Sequence, residues 1–186
     1  MNLYIKNMVC NRCRMVVKNE LEKVGIEPLN VQLGEVELAE KPSAQQMDEL
    51  KHNLADVGFE LIDTKKGRII EKIKNVVIDL IHHSEDQTKL KYSEYLSEKL
   101  NHDYSYLSKL FSEVEGKTIE QYIISQKIEK VKELLVYDEL SLSEIAWQLG
   151  YSSVAHLSAQ FKKVTGLTPS FYKDKGMHHR KPLDGV

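Results

Sequence analysis

Leu96-Ser97-Glu98-Lys99-Leu100-Asn101, followed by Leu107-Ser108-x-x-Phe111-x-x-Val114-x-Gly116-x-Thr118, is the stretch that decides the fold, because it recurs. About 50 residues later the chain reads Ile145-Ala146-Trp147-Gln148-Leu149-Gly150, then Leu157-Ser158-x-x-Phe161-x-x-Val164-x-Gly166-x-Thr168. Each copy has the parts of a helix-turn-helix. A short first helix presents a small residue, Ser97 or Ala146, where a second helix must pack closely. Four residues on come Asn101 and Gly150, types that tolerate a left-handed turn. The second helix is anchored by Leu107 and Phe111, or by Leu157 and Phe161, an i, i+4 pair on one face. Its opposite face is left free for a groove.

Between the copies, residues 119–136 carry an apolar stripe of Ile123, Ile124, Ile128, Val131, Leu134 and Leu135. As a helix this segment spans roughly 27 Å, enough to hold two reading helices about one DNA turn apart. Ser141-Leu-Ser-Glu144 is a capping box opening the second unit, and Thr168-Pro169 opens one more helix through Tyr172. Internal evidence leaves a second reading open, an all-helical protein-interaction domain built by duplication.

Upstream the pattern changes. Leu3, Tyr4 and Ile5 begin a strand, and residues 13–24 form a helix with Val16, Val17, Leu21 and Val24 on one face. Strands follow at 29–33 and 35–39, joined at Gly34. Ser43-Ala-Gln-Gln46 caps a second helix striped by Met47, Leu50, Leu54 and Val57, and 59–63 is a last strand. The order βαββαβ is ferredoxin-like. The chain therefore reads as α+β: a ferredoxin-like domain over 1–65, a linker at 66–68, an all-α tandem helix-turn-helix domain over 69–176, and a flexible tail over 177–186. Ile69, Ile73, Val76, Val77, Leu80 and Ile81 define the first helix of the second domain, ending near His82-His83, where the helix dipole favours histidine. His178-His179 falls in the tail, which reads as solvated.

The 186 residues are 41% hydrophobic and 29% charged, which is ordinary for a soluble chain with a buried core. The start MNLYIKNMVC lacks a signal-peptide profile, and no run approaches the roughly 20 apolar residues of a membrane span. A cytoplasmic location is expected. No nucleophile–base–acid spacing, P-loop or dinucleotide motif appears, so an enzyme is not expected. Net charge is −2, which runs against nucleic-acid binding. Residues 1–67 hold 9 basic and 11 acidic side chains, and the rest hold 17 of each.

Both cysteines, Cys10 and Cys13, lie in one C-x-x-C between a strand and a helix. In a cytoplasmic protein this spacing points to a metal or redox site rather than a structural disulfide. Two thiolates three positions apart can converge on a soft ion, Cu(I) ahead of Zn(II), because two ligands cannot complete a tetrahedral zinc site. Cys13, at the helix start with Arg12 and Arg14 beside it, is expected to have a lowered pKa. Met8 reads as a core residue under the loop.

Two resemblances follow from these residues. Over roughly 69–176, Ser141-x-Ser-Glu-Ile-Ala146-x-x-Leu149-Gly150-Tyr151-Ser-Ser, then His156-Leu157-Ser158-x-x-Phe161-Lys162-Lys163-x-x-Gly166-x-Thr168-Pro169-x-x-Tyr172, resembles the signature of AraC/XylS-family bacterial regulators. That resemblance implies about seven helices, two major-groove readers and transcription control on double-stranded DNA, with RNA polymerase as a further partner. By alignment the second reading helix offers Val154, Ala155, Ser158 and Ala159, with Ala159 where the family often has Arg. The first offers Ser105, Ser108 and Lys109, of which Lys109 is the best base-contact candidate. Phosphate contacts are expected from Lys117, Lys162 and Lys163. Lys127 stands where the family usually has Arg. Met8-x-Cys10-x-x-Cys13 in its βαββαβ setting, with Val17, Leu21, Val24 and Gly58-Phe59, resembles heavy-metal-associated domains; Asn7 replaces a common Gly.

Together these readings describe a DNA-binding regulator responsive to a soft metal, working as a monomer or a metal-bridged dimer. The rival is a metal-binding or redox-sensing protein whose helical half binds another protein. A basic face formed by Lys109, Lys117, Lys162 and Lys163 would favour the regulator.

Overall fold

In β1 (Asn2–Lys6) Leu3 and Ile5 are buried while their neighbours are not, the period-two pattern of a strand with one face on a core. Such alternation, repeated in the strands that follow, organises the first half of the computed structural model, which describes residues 1–62, 65–84, 91–174 and 183–185. The chain divides into two compact units, Met1–Asn75 and Val76–Val186.

In the first unit β1 is followed by α1 (Asn11–Lys23), β2 (Pro28–Gln32), β3 (Glu35–Leu38), α2 (Ala44–Asp56) and β4 (Glu60–Leu61). The sheet order is β2-β3-β1-β4, with every pairing antiparallel. Leu3 faces Val36 across the β1–β3 pair. Val17 and Leu21 from α1, and Leu50 and Leu54 from α2, close over Leu3, Ile5, Val36 and Leu38, with Met8 fully buried among them. Ser43 and Gln46 form the expected capping box. Val57, read as part of the α2 stripe, instead caps that helix and is 42% exposed.

Residues 66–68, expected as a linker, lie in the first turn of α3 (Lys65–Ile78). The reason is tertiary. Arg68 and Lys72 place their charges 4.6 and 5.2 Å from the Tyr4 ring centre, Lys72 pairs with Glu35 at 3.2 Å, and Asn75 donates to the Leu33 carbonyl at 3.1 Å. These contacts hold α3 to the sheet face where Tyr4 and Glu35 lie. A π-helical turn, Asp79–His83, follows. His82 in it is buried and hydrogen-bonded to Gln126 at 3.0 Å, so packing rather than a helix dipole accounts for this histidine.

The second unit continues with α4 (Tyr92–Leu100), α5 (Tyr104–Glu115), α6 (Ile119–Tyr137), α7 (Leu142–Gln148), α8 (Val154–Thr165) and α9 (Pro169–Asp174). With α3 this makes seven α-helices after the sheet among the described residues. Asn101 (φ 52°) and Gly150 (φ 69°) take the left-handed conformation that the two turns require. Ser141 and Glu144 form their capping box, and Thr118 with Gln121 forms another at the start of α6. Ile128, Val131 and Leu135 of α6 pack with Ile145, Ala146, Leu149, Leu157, Phe161 and Tyr172. The duplication extends past the helix-turn-helix. Phe111 meets Tyr122 at 5.5 Å between ring centres, and Phe161 meets Tyr172 at the same 5.5 Å. Thus α9 repeats the first turn of α6. Of the tail, 183–185 form a 3-10 turn whose Leu183 carbonyl accepts from buried Gln126; His178 and His179 lie outside the described residues.

Candidate nucleic-acid interface

Helix α5 begins at Asp103, whose carboxylate accepts from the backbone N–H of Ser105, and α8 begins at Ser153, whose hydroxyl accepts from that of His156. Each cap fixes the entry of its helix and hence which side chains face outward. Buried Leu107 and Phe111, or Leu157 and Phe161, hold the inner face. On the other side the exposed residues fall at matching places: Ser105 and Lys109 in α5, Ala155 and Ala159 in α8. One turn further on, half-buried Ser112 corresponds to exposed Lys162, and exposed Glu113 to exposed Lys163. Ser112 turns back to its own helix, donating to the Ser108 carbonyl at 2.9 Å.

The two stripes therefore differ in chemistry although their backbones repeat. That of α5 carries Lys109, a long donor able to bond two acceptors on a guanine edge, near acidic Glu113 and Glu115. That of α8 is bare of donors at Ala155 and Ala159 and basic at its end, where Lys162 and Lys163 stand. Ser108 and Ser158 are half-buried. Two expected contacts are less free than the sequence reading had them. Val154 leans into the core around Phe161, and half-buried Lys117 lies over the Tyr122 ring at 5.1 Å. Lys109, Lys162 and Lys163 remain exposed.

Lys127 has a structural place that sequence reasoning missed. Its Nζ donates to the Leu149 carbonyl at 2.7 Å and sits 5.2 and 5.3 Å from the ring centres of Tyr92 and Tyr151. It braces the turn of the second copy against the first helix of the first. Burial lowers its pKa, and a flat guanidinium is not required for one carbonyl and two ring faces. Burial also raises Tyr92 to about 12 and Tyr151 further; neither buried hydroxyl has a hydrogen-bond partner among the described residues.

The thiol pair lies elsewhere, where β1 hands over to α1. Asn7 takes φ 71° and donates through its side chain to the Gly58 carbonyl at 3.1 Å. That left-handed turn is why Gly suits the position and why Asn can replace it. Cys10 is the N-cap of α1, and its Sγ lies 3.4 Å from that of Cys13. Burial works against the Cys10 thiolate, but the adjacent Cys13 thiol, the nearby amides of Cys13 and Arg12, and the Arg12 charge outweigh it, and Cys10 falls below the ordinary thiol value although its side chain makes no capping hydrogen bond. Burial raises Cys13 above it, and the neighbouring Cys10 adds to the rise. The lowering expected at Cys13 is therefore not found; the thiol favoured as a thiolate is that of Cys10, the N-cap residue. Arg14 donates through Nε to the Val31 carbonyl at 2.8 Å. No cluster of three His, Cys, Asp or Glu that could hold a metal occurs among the described residues.

Residues 96–175 match the family model described as "Helix-turn-helix domain". A xylose operon regulatory protein of Escherichia coli strain K12 is 40% identical over 70 residues, 38% of this chain and 18% of that protein. An uncharacterized transcriptional regulatory protein of Bacillus subtilis strain 168, YesN, is 29% identical over 165 residues, 86% of this chain and 41% of that protein. The chain thus spans less than half the length of these curated relatives. Among solved structures it is similar to the C-terminal domain of AraT, a response regulator from Geobacillus stearothermophilus. That match has a TM-score of 0.52 and 27% identity, over 63% of this chain and 95% of that one. By name these relatives are regulatory proteins, and among the described residues no helix is long and apolar enough to cross a membrane.

Proposed function

We propose that this chain, whose residues 96–175 match a helix-turn-helix domain model, is a cytoplasmic transcriptional regulator of the AraC type that binds double-stranded DNA with unequal work for its two reading helices. In this reading α5 reads bases through Lys109, assisted by Ser105 and Ser108. Helix α8 contacts thymine methyls through Ala155 and Ala159 and anchors the backbone through Lys162 and Lys163. The observation that carries it is the pair of matching outward stripes, with its donor in α5 and its cationic end in α8. Fluorescence anisotropy on promoter fragments tests it. Lys109→Ala should erase preference among sequences, while Lys162→Ala with Lys163→Ala should weaken all sequences alike and reduce the salt slope by about 2. No binding to any fragment at low salt would overturn it.

The first unit supports a ferredoxin-like, heavy-metal-associated-like reading through its sheet order β2-β3-β1-β4 and the placing of its thiols. Two thiols at a helix start, one of them favouring the thiolate, with Met8 sealed below, suit a soft ion of low coordination number such as Cu(I). They do not suit tetrahedral Zn(II). Titration of the reduced protein with Cu(I) should give one equivalent, lost in Cys10→Ser; stoichiometric binding that survives that change refutes the site.

A further inference from the structure

The residues that hold α3 to the sheet include one that reaches the thiol loop. Glu71 is 7% exposed. Its carboxylate accepts from the backbone N–H of Asn7 and pairs with Lys74 at 3.5 Å, with Lys6 also nearby. Asn7 is the left-handed residue from which the loop to Cys10 departs. At the other end of this stretch, Asn75 lies so close to the β2–β3 turn that a Cβ on Gly34 would come within 2.2 Å of its Nδ2. Lys72 and Arg68 rest on Tyr4, three residues before Asn7 in β1. A buried carboxylate facing a turn amide fixes that turn, since releasing it would leave a charge in a poorly solvated place.

We propose that residues 65–75 of α3 position the thiol loop, with Glu71 as the positioning residue, so that soft-metal binding at Cys10 and Cys13 and the seating of α3 on the sheet favour one another. The inference rests on the metal-binding reading above. Coupling of this kind is reciprocal: whatever factor the seated helix adds to metal affinity, the metal returns to the seating. Helix α3 itself runs on to Ile78, beyond the boundary of the first unit.

The test uses the full chain, reduced, with Cu(I) delivered against a chromophoric competing chelator. Glu71→Ala should weaken Cu(I) binding by about 10- to 100-fold, the range for residues that support metal ligands. Glu71→Gln, whose amide oxygen still accepts from Asn7, should stay near wild type. Asn75→Ala, which loosens α3 without touching the loop, should weaken binding in the same direction. In the wild type, Cu(I) should slow amide exchange over 68–75 as well as over 7–13. Unchanged affinity in Glu71→Ala, or protection confined to 7–13, overturns the proposal. If the wild type takes up no Cu(I), the metal reading falls, and exchange in the metal-free protein still decides the positioning role. Glu71→Ala must then raise exchange across 10–14, and a rise confined to Asn7 overturns it.

Discussion

Lowering the pH from 7 to 5 should destabilise the second unit through His82. Its side chain is 3% exposed, and its Nε2 meets the Oε1 of Gln126 at 3.0 Å. The Nε2 of Gln126 is itself committed to the Tyr122 hydroxyl and the Leu183 carbonyl, so His82 donates from Nε2 and keeps Nδ1 unprotonated. Burial is the main reason its pKa is lowered to about 4, reinforced by the charge of Lys130 and opposed by the Gln126 hydrogen bond and by Glu133. In the unfolded chain the ring titrates near 6.5. The folded value is the lower one, so the contribution is fully present above about pH 6.5 and is lost as pH falls toward 4. A gap of that size corresponds to about 3 kcal/mol in full, of which roughly 2 kcal/mol disappears between pH 7 and 5. Urea unfolding followed by circular dichroism, dominated by these helices, measures the loss. His82→Gln, which keeps a donor for Gln126 but cannot titrate, should flatten the dependence across that window. Equal pH slopes in the variant and the wild type would refute the reasoning.

Tyr92→Phe and Tyr151→Phe remove buried hydroxyls that have no partner among the described residues. Each should leave the unfolding free energy in urea unchanged or raise it by up to about 1 kcal/mol; a loss above that size in either variant shows a hydrogen bond that this reading lacks. Gly34→Ala adds a Cβ at φ 79° against Asn75 and should destabilise the first unit by about 1–3 kcal/mol, read as faster amide exchange in its sheet. Phe111→Ala and Phe161→Ala remove side chains that are each fully buried and paired with a tyrosine at the same spacing. Each should cost about 3–5 kcal/mol in the same unfolding assay, and a twofold difference between them would show that the repeated packing is only superficial. Ala159→Arg places, on an exposed position matching Lys109, the donor that the resemblance to AraC/XylS regulators implies there. It should tighten binding to a fragment with guanine in reach by about 1–3 kcal/mol, and unchanged anisotropy across all fragments would show that α8 does not enter the groove.

The repeat was legible because its signals are local and were written twice. Asn101 and Gly150 mark turns, Ser141 and Glu144 mark a helix start, and Leu107 with Phe111 marks a buried face, each through the conformation or burial of its own few residues. The extension of the repeat to Tyr122 and Tyr172 was in the letters too, but the proline at 169 and the length of α6 disguised one turn as two different helices. What escaped was carried by contacts distant in the chain. Lys65-Lys66-Gly67-Arg68 has the composition of a linker, and only the ring of Tyr4, some sixty residues earlier, turns it into a helix start. Lys127 reads as a weakened arginine until Leu149, Tyr92 and Tyr151 are seen around it. The rise at Cys13 escaped for a subtler reason. The helix start favours a thiolate at the N-cap, where Cys10 stands, whereas Cys13 is already inside the first turn and against the core.

Net charge argued against DNA binding, and the stripes change how that argument runs. A neutral domain lacks long-range attraction, but contact is made by the few groups that face the phosphates, and acids elsewhere do not cancel them beyond a Debye length of about 8–10 Å. Several acids are in fact spent inside the structure. Glu129 is paired with Lys132 at 2.6 Å on α6, both nearly buried, and Glu133 with Lys130 at 3.3 Å. Those four charges cancel one another and leave the balance outside them unchanged, so the placing of the exposed cations matters more than the count. Lys109, Lys162 and Lys163 are exposed on the helices that would enter the groove, yet Glu113 occupies in α5 the place that Lys163 has in α8. The two copies of the repeat thus differ in opposite senses, one carrying an exposed long donor beside acids, the other carrying cations beside small apolar residues. Specificity and affinity in such a pair are separable, and exchanging Lys109 with Ala159 should move sequence preference from one half-site to the other while leaving the salt slope nearly unchanged.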